Sequence, residues 1–104
     1  MANLFEETQL NGMVLANRFV RSATWEGMAG DDGSATPGLI DYMVALARGG
    51  VGLIISSHAY VHRDGQALLH QLGVHRDDLV PGLTAMADAV HENNGKTVLQ
   101  LAHA

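Results

Sequence analysis

Residues 51–56 read Val51-Gly52-Leu53-Ile54-Ile55-Ser56, an apolar run that follows directly on the pair Gly49-Gly50. A strand with one wet face alternates apolar and polar residues. This one does not, so both its faces must be covered, as in a parallel sheet flanked by helices. The residues upstream supply one such helix. Leu39, Ile40, Met43, Val44 and Ala47 fall on a single helical face. Thr36 is suited to the N-cap, Pro37 to the first turn, and the glycine pair ends the helix. Downstream, residues 58–74 form a long connection without a clear period. A second helix follows, capped by Asp77 or Asp78, with a stripe of Leu83, Met86, Ala87 and Val90 and a stop at Asn93-Asn94-Gly95. Thr97 to Ala102, "TVLQLA", is the next strand.

Toward the N-terminus, "RFVRSA" (residues 18–23) reads as a short strand, and Asn11-Gly12 sits between two β-compatible runs as a hairpin turn. "GMAGDDGSATPG" is a loop. The order is therefore a hairpin followed by β-α-β-α-β, an α/β chain with parallel strands. An open doubly wound sheet and the opening of a (β/α)8 barrel fit this order equally. No G-x-G-x-x-G and no G-x-x-x-x-G-K-[ST] anchors the open-sheet reading.

With 104 residues, 47% of them hydrophobic and 16% charged, the chain amounts to at most one domain of globular composition. Its formal charge of -5 and lack of a basic run offer no basis for nucleic-acid binding. The absence of cysteine excludes disulfides and thiolate chemistry. "MANLFEETQL" has no cationic leader or long apolar stretch, and no window reaches the roughly 18 apolar residues of a membrane span. A cytoplasmic protein is the expectation.

In either parallel architecture, ligands gather at the carboxyl ends of the strands. Those ends are residues 22–26, 57–60 and 100–103. Gln100 offers an acceptor and two donors in one plane, matching a heterocycle edge with adjacent N–H and C=O groups. By spacing alone, a local hydrogen-bond partner is the stronger reading. His58, His103 and Glu26 could be enlisted as three metal ligands, but no tight ligand pair supports that. His70, His75 and His91 read as solvated. Ser22 lacks a nucleophile elbow, and Trp25 reads as packing. Arg21 needs a carboxylate or a route to solvent.

Three blocks, "LFEETQLNGMVLANRFVRSATWEG", "GGVGLIISSHAYVHRDG" and "AVHENNGKTVLQLAHA", occur in order and together cover nearly the whole chain. They resemble the start of the Old Yellow Enzyme family, FMN-dependent NAD(P)H oxidoreductases. The resemblance implies the N-terminal part of a (β/α)8 barrel with a hairpin across its floor, and it makes residues 1–104 an N-terminal fragment of one FMN-binding domain. A whole barrel takes roughly 250 residues. By motif match, Gln100 would hydrogen-bond the flavin pyrimidine. Ser22, Ala23, Thr24 and Trp25 would lie beside the ring, with the His58 backbone close to it. Many members have Pro where this chain has Ala23. The residue near flavin O4 and N5 is commonly Thr or Cys; direct alignment puts Trp25 there, and a one-residue shift would put Thr24 there.

The resemblance further implies NAD(P)H as reductant, a small-molecule electron acceptor such as an activated alkene, and catalytic residues beyond residue 104. A homo-oligomeric full-length parent is compatible with it. Two alternatives stand beside this reading: a self-contained, non-catalytic α/β interaction module, and a fragment of a metal-dependent barrel hydrolase.

Overall fold

The computed structural model describes residues 3–104. β1 (Thr8–Leu10) and β2 (Met13–Leu15) pair antiparallel, with Gln9 opposite Val14. Both turn residues between them, Asn11 (φ 47°) and Gly12 (φ 92°), adopt the left-handed conformation that a two-residue hairpin turn requires. The second sheet holds β3 (Val20–Arg21), β4 (Leu53–Tyr60) and β5 (Thr97–Ala102) in the order β3-β4-β5, all parallel. The crossovers run through α1 (Pro37–Arg48) and α2 (Val80–Glu92).

Thr36 caps α1 as its sequence suggests. Its Oγ1 accepts from the Leu39 N–H at 3.1 Å and donates to the Met28 carbonyl at 2.6 Å, tying the helix start to the preceding loop. Leu39, Met43 and Ala47 of α1 and Met86 and Val90 of α2 pack with Ile54, Ala59 and Leu72 into one core. Gly52 enters β4 where a Cβ would strike the Asn17 and Phe19 backbone, so no larger residue fits.

Three local expectations are corrected. The strand expected over residues 18–23 contracts to Val20–Arg21, because beyond it Thr24 bonds locally, its hydroxyl donating to the Ser22 carbonyl at 3.1 Å. β4 runs on through His58 to Tyr60, so His58 lies within a strand instead of opening the long loop; Tyr60 pairs with Ala102 on one side and Gly73 on the other. Neither Asp77 nor Asp78 caps α2. A 3-10 turn over Asp77–Leu79 leads into the helix, which begins Val80-Pro81, and the Asp78 carboxylate lies 3.0 Å from Arg76 Nε.

β4 also carries a bulge that no periodicity announces. Ile55 pairs with Val98 and His58 with Gln100, so three steps along β4 match two along β5. Ile54 and Ala59 are five apart, an odd separation that would send them to opposite faces of a regular strand. Both are fully buried in the same core, because the extra residue resets the alternation. Ser56 and Ser57 occupy the bulge, each 2% exposed. Ser56 Oγ accepts the Gln100 backbone N–H at 3.1 Å, a hydroxyl standing where a ladder carbonyl would be. Replacing Ser56 with Ala strands that donor and is expected to cost about 1–3 kcal/mol in urea unfolding. Ile54→Ala, which opens a core cavity, should cost about 2–5 kcal/mol.

Candidate functional site

The tips of β3, β4 and β5 converge on one surface. From β3 the chain passes into residues 22–25, where Ser22, Thr24 and Trp25 are exposed and Ala23 is half-buried. The Thr24 hydroxyl is committed to the Ser22 carbonyl. The Trp25 ring folds over Gly27, whose φ of 69° permits the close turn, and remains 46% exposed. His58 sits directly opposite Gln100 in the ladder. Gln100 is exposed, and its hydrogen bond to the described residues comes from its backbone N–H, leaving the planar amide free to bind. The exposed Trp25 ring is the apolar surface of the segment leaving β3, whereas Leu99 and Leu101 alternate with Gln100 and project from the opposite face of β5. A free amide at the tip of β5, across β4 from the exposed Trp25 ring, fits a flat heterocycle with one polar edge, so the residues present suit the expected flavin.

The His58 carbonyl is fastened from the far side. Gln71, fully buried, donates to it through Nε2 at 3.1 Å, while Gln71 Oε1 accepts the N–H groups of Ala67 and Leu68 at 2.7 and 3.2 Å. This clamp has no signature in the sequence; a lone glutamine in a polar loop reads as solvated. His103 does not approach His58 as a partner. Its ring lies against Gly65, with its centroid 6.4 Å from that of His62. Glu26 faces Arg21 and Ser57, so the metal trio His58, His103 and Glu26 does not assemble. Among the described residues no three His, Asp or Glu side chains form a metal cluster. His75 is not the solvated residue expected: it stacks on Tyr60 at 4.8 Å and its Nδ1 is buried. An apolar hollow of about 310 Å³ lies between α2 and β5, lined by Leu83, Met86, Ala87, Val98 and Leu99 and reaching Ser56 of the bulge.

Arg21 finds both a counter-charge and hydrogen-bond acceptors. Nη1 donates to the Ile55 carbonyl and Nη2 to the Thr24 carbonyl, each at 2.9 Å, and Nη2 lies 3.8 Å from Glu26 Oε2. Glu26 Oε1 accepts from Ser57 Oγ at 3.3 Å. Burial pushes the Glu26 carboxyl above its ordinary value of 4.5, outweighing the opposing pull of Arg21, Ser57 and His58. The folded state thus holds this proton more tightly than the unfolded chain. Glu26 therefore makes stability fall as pH rises from about 4.5 through the folded value, and the loss levels off above it. The unfolding free energy of Glu26→Gln, measured from pH 4 to 8, should lack this component, so its advantage over the parent grows with pH across that window.

The family model described as NADH:flavin oxidoreductase / NADH oxidase family matches residues 3–104. The chain is 40% identical over 103 residues to an NADH oxidase of Thermoanaerobacter brockii, covering 98% of this chain and 16% of that protein. It is 37% identical over 105 residues to an NADH:acrylate oxidoreductase of Vibrio harveyi, covering 100% of this chain and 10% of that protein. It therefore spans less than a fifth of the length of either relative. The crystal structure of Old Yellow Enzyme from a Pichia species superposes with a TM-score of 0.90 at 22% identity, over 97% of this chain and 26% of that one. At that identity the likeness carries the fold: the parallel unit of β3, β4 and β5 is the N-terminal part of a (β/α)8 barrel. With the family's pattern running from residue 3 to residue 104 on that barrel segment, the chain belongs to the NADH:flavin oxidoreductase / NADH oxidase family.

Proposed function

We propose that these 104 residues are the N-terminal portion of a single FMN-binding barrel domain in an NAD(P)H oxidoreductase. The observation that carries this reading is the free planar amide of Gln100, placed at the tip of β5 and directly opposite His58. Bound FMN would supply the chemistry, a hydride taken from NAD(P)H and delivered to an acceptor. Gln100 would accept from the pyrimidine N–H and donate to an adjacent carbonyl, fixing the ring in its plane. Ser22, Ala23, Thr24 and Trp25 would form one wall. The backbone at His58, held by Gln71, would border the ring between that wall and Gln100. With its hydroxyl engaged by Ser22, Thr24 meets the ring as a shaped surface, and Trp25 meets it as an apolar one.

The acceptor class is a small activated alkene. Acrylate, in the name of the Vibrio harveyi relative, is such an alkene: conjugation to a carboxylate prepares its β-carbon for hydride. Proton delivery and the remaining ring contacts are assigned to residues beyond 104. A net charge of -5 gives nucleic acid no purchase on the surface, and no helix of the described residues is long and apolar enough to cross a membrane. A cytoplasmic, homo-oligomeric full-length protein completes the proposal.

The chain of 104 residues with added FMN should not oxidise NADH or NADPH at a measurable rate and should bind FMN weakly. Robust turnover would overturn the reading of it as a fragment. In the full-length protein, Gln100→Ala should weaken FMN about tenfold through lost hydrogen bonds. Flavin affinity, absorption spectrum and reduction potential all unchanged in that variant would remove Gln100 from the site. A full-length protein purified colourless and indifferent to FMN would favour a binding module presenting the open side of β5.

A further inference from the structure

Behind the exposed segment of residues 22–25 lies a polar cluster that is out of place in an apolar interlayer. Side-chain exposure is 11% for Arg21 and 5% for Glu26, and Ser57 is 2% exposed as a residue. A buried guanidinium must spend its donors well. Here the two principal donors go to backbone carbonyls on different elements: Ile55, immediately before the β4 bulge, and Thr24, in the segment leaving β3. Ser57, inside the bulge, reaches back to Glu26 at the far end of that segment. The Arg21 guanidinium also lies 5.7 Å over the Tyr42 ring of α1. One cation thus joins three elements, and its carboxylate partner is spaced to neutralise it without taking its hydrogen bonds.

We propose that Arg21, Glu26 and Ser57 are positioning residues that hold the segment Ser22–Trp25 against the bulged β4 and so set the shape of one wall of the site. They touch neither the proposed ring nor a reacting atom; they act through the Thr24 and Ile55 carbonyls. The purpose of the wall rests on the flavin reading above, whereas the clamp itself can be tested without flavin.

Trp25 is the single tryptophan of the chain and lies in the clamped segment, so it reports directly on it. In the 104-residue chain, Arg21→Met should shift Trp25 emission to the red, lower its anisotropy and raise its acrylamide quenching. Arg21→Lys keeps the charge beside Glu26 but cannot reach both carbonyls; it should move the same signals and decides the question if Arg21→Met does not fold. Ser57→Ala should move them in the same direction by less. Arg48→Met, which removes a bond to Asn93 at the opposite end of α1, should leave them unchanged. Arg21→Lys folded, with Trp25 indistinguishable from the parent, would overturn the clamp. In the full-length protein, the Arg21 variants should weaken FMN about tenfold. Shifted Trp25 signals in the Arg21 variants, together with no FMN binding by the unaltered full-length protein, would sink the flavin reading and leave the clamp standing. Gln100→Ala weakening FMN while Arg21→Lys changes neither FMN nor Trp25 would do the reverse.

Discussion

β4 is paired on both edges, with β3 on one side and β5 on the other, and packed against both helices, and every other placement follows from its demands. A strand enclosed in this way must satisfy each backbone donor and acceptor inside the protein while keeping its apolar side chains in step with a core. Near its carboxyl end the two demands conflict. Ile54 and Ala59 both belong to the core, yet their spacing has the wrong parity. The bulge resolves the parity, and the Ser56 hydroxyl takes up the Gln100 N–H that the resolution leaves over. Register and chemistry are thus set together: the residue that repairs the ladder is also the one against which Gln100 is located.

Much of this was legible. Asn11-Gly12 specified its turn, Thr36-Pro37 specified the start of α1, and the bounds of β5 are those read from Thr97 to Ala102. Each is a local signal, in which a few neighbouring residues determine their own conformation. What escaped was non-local. Two serines after Ile55 look like the end of a strand, because hydroxyls interrupt an apolar run; only β5 reveals that the strand continues through them. Asp77 and Asp78 are good capping residues, but the chain enters α2 through a 3-10 turn with Pro81 behind it, and capping chemistry has no view of that path. His75 is drawn inward by Tyr60, fifteen positions away. Of the candidate site, the convergence of the three strand ends was readable from the β-α-β-α-β order. The Gln71 clamp and the choice of Glu26 for Arg21 were not, since both are fixed by where loops return.

Arg21 and Glu26 also show how a charge can be kept inside such a layer. A bidentate pair would commit two of the guanidinium's five donors to the carboxylate. Separated by 3.8 Å, the two retain attraction while the guanidinium's donors remain available to main-chain carbonyls. The carboxyl bears the cost, visible as its raised proton affinity. This arrangement favours a defined geometry for the backbone around Thr24 over maximal stability.

The outward side of β5 has a further meaning. Val98, Leu99 and Leu101 are exposed there, Leu101 at 61%, along a strand paired only with β4. In the isolated 104-residue chain, that extended backbone with aliphatic flanks can template another extended segment, whereas a closed barrel would pair it with the next strand. The colloidal fate of the isolated segment is then a contest between that templating and the mutual repulsion of molecules carrying a net charge of -5. Salt, by screening the repulsion and leaving the templating untouched, tips the contest toward fibrous precipitate.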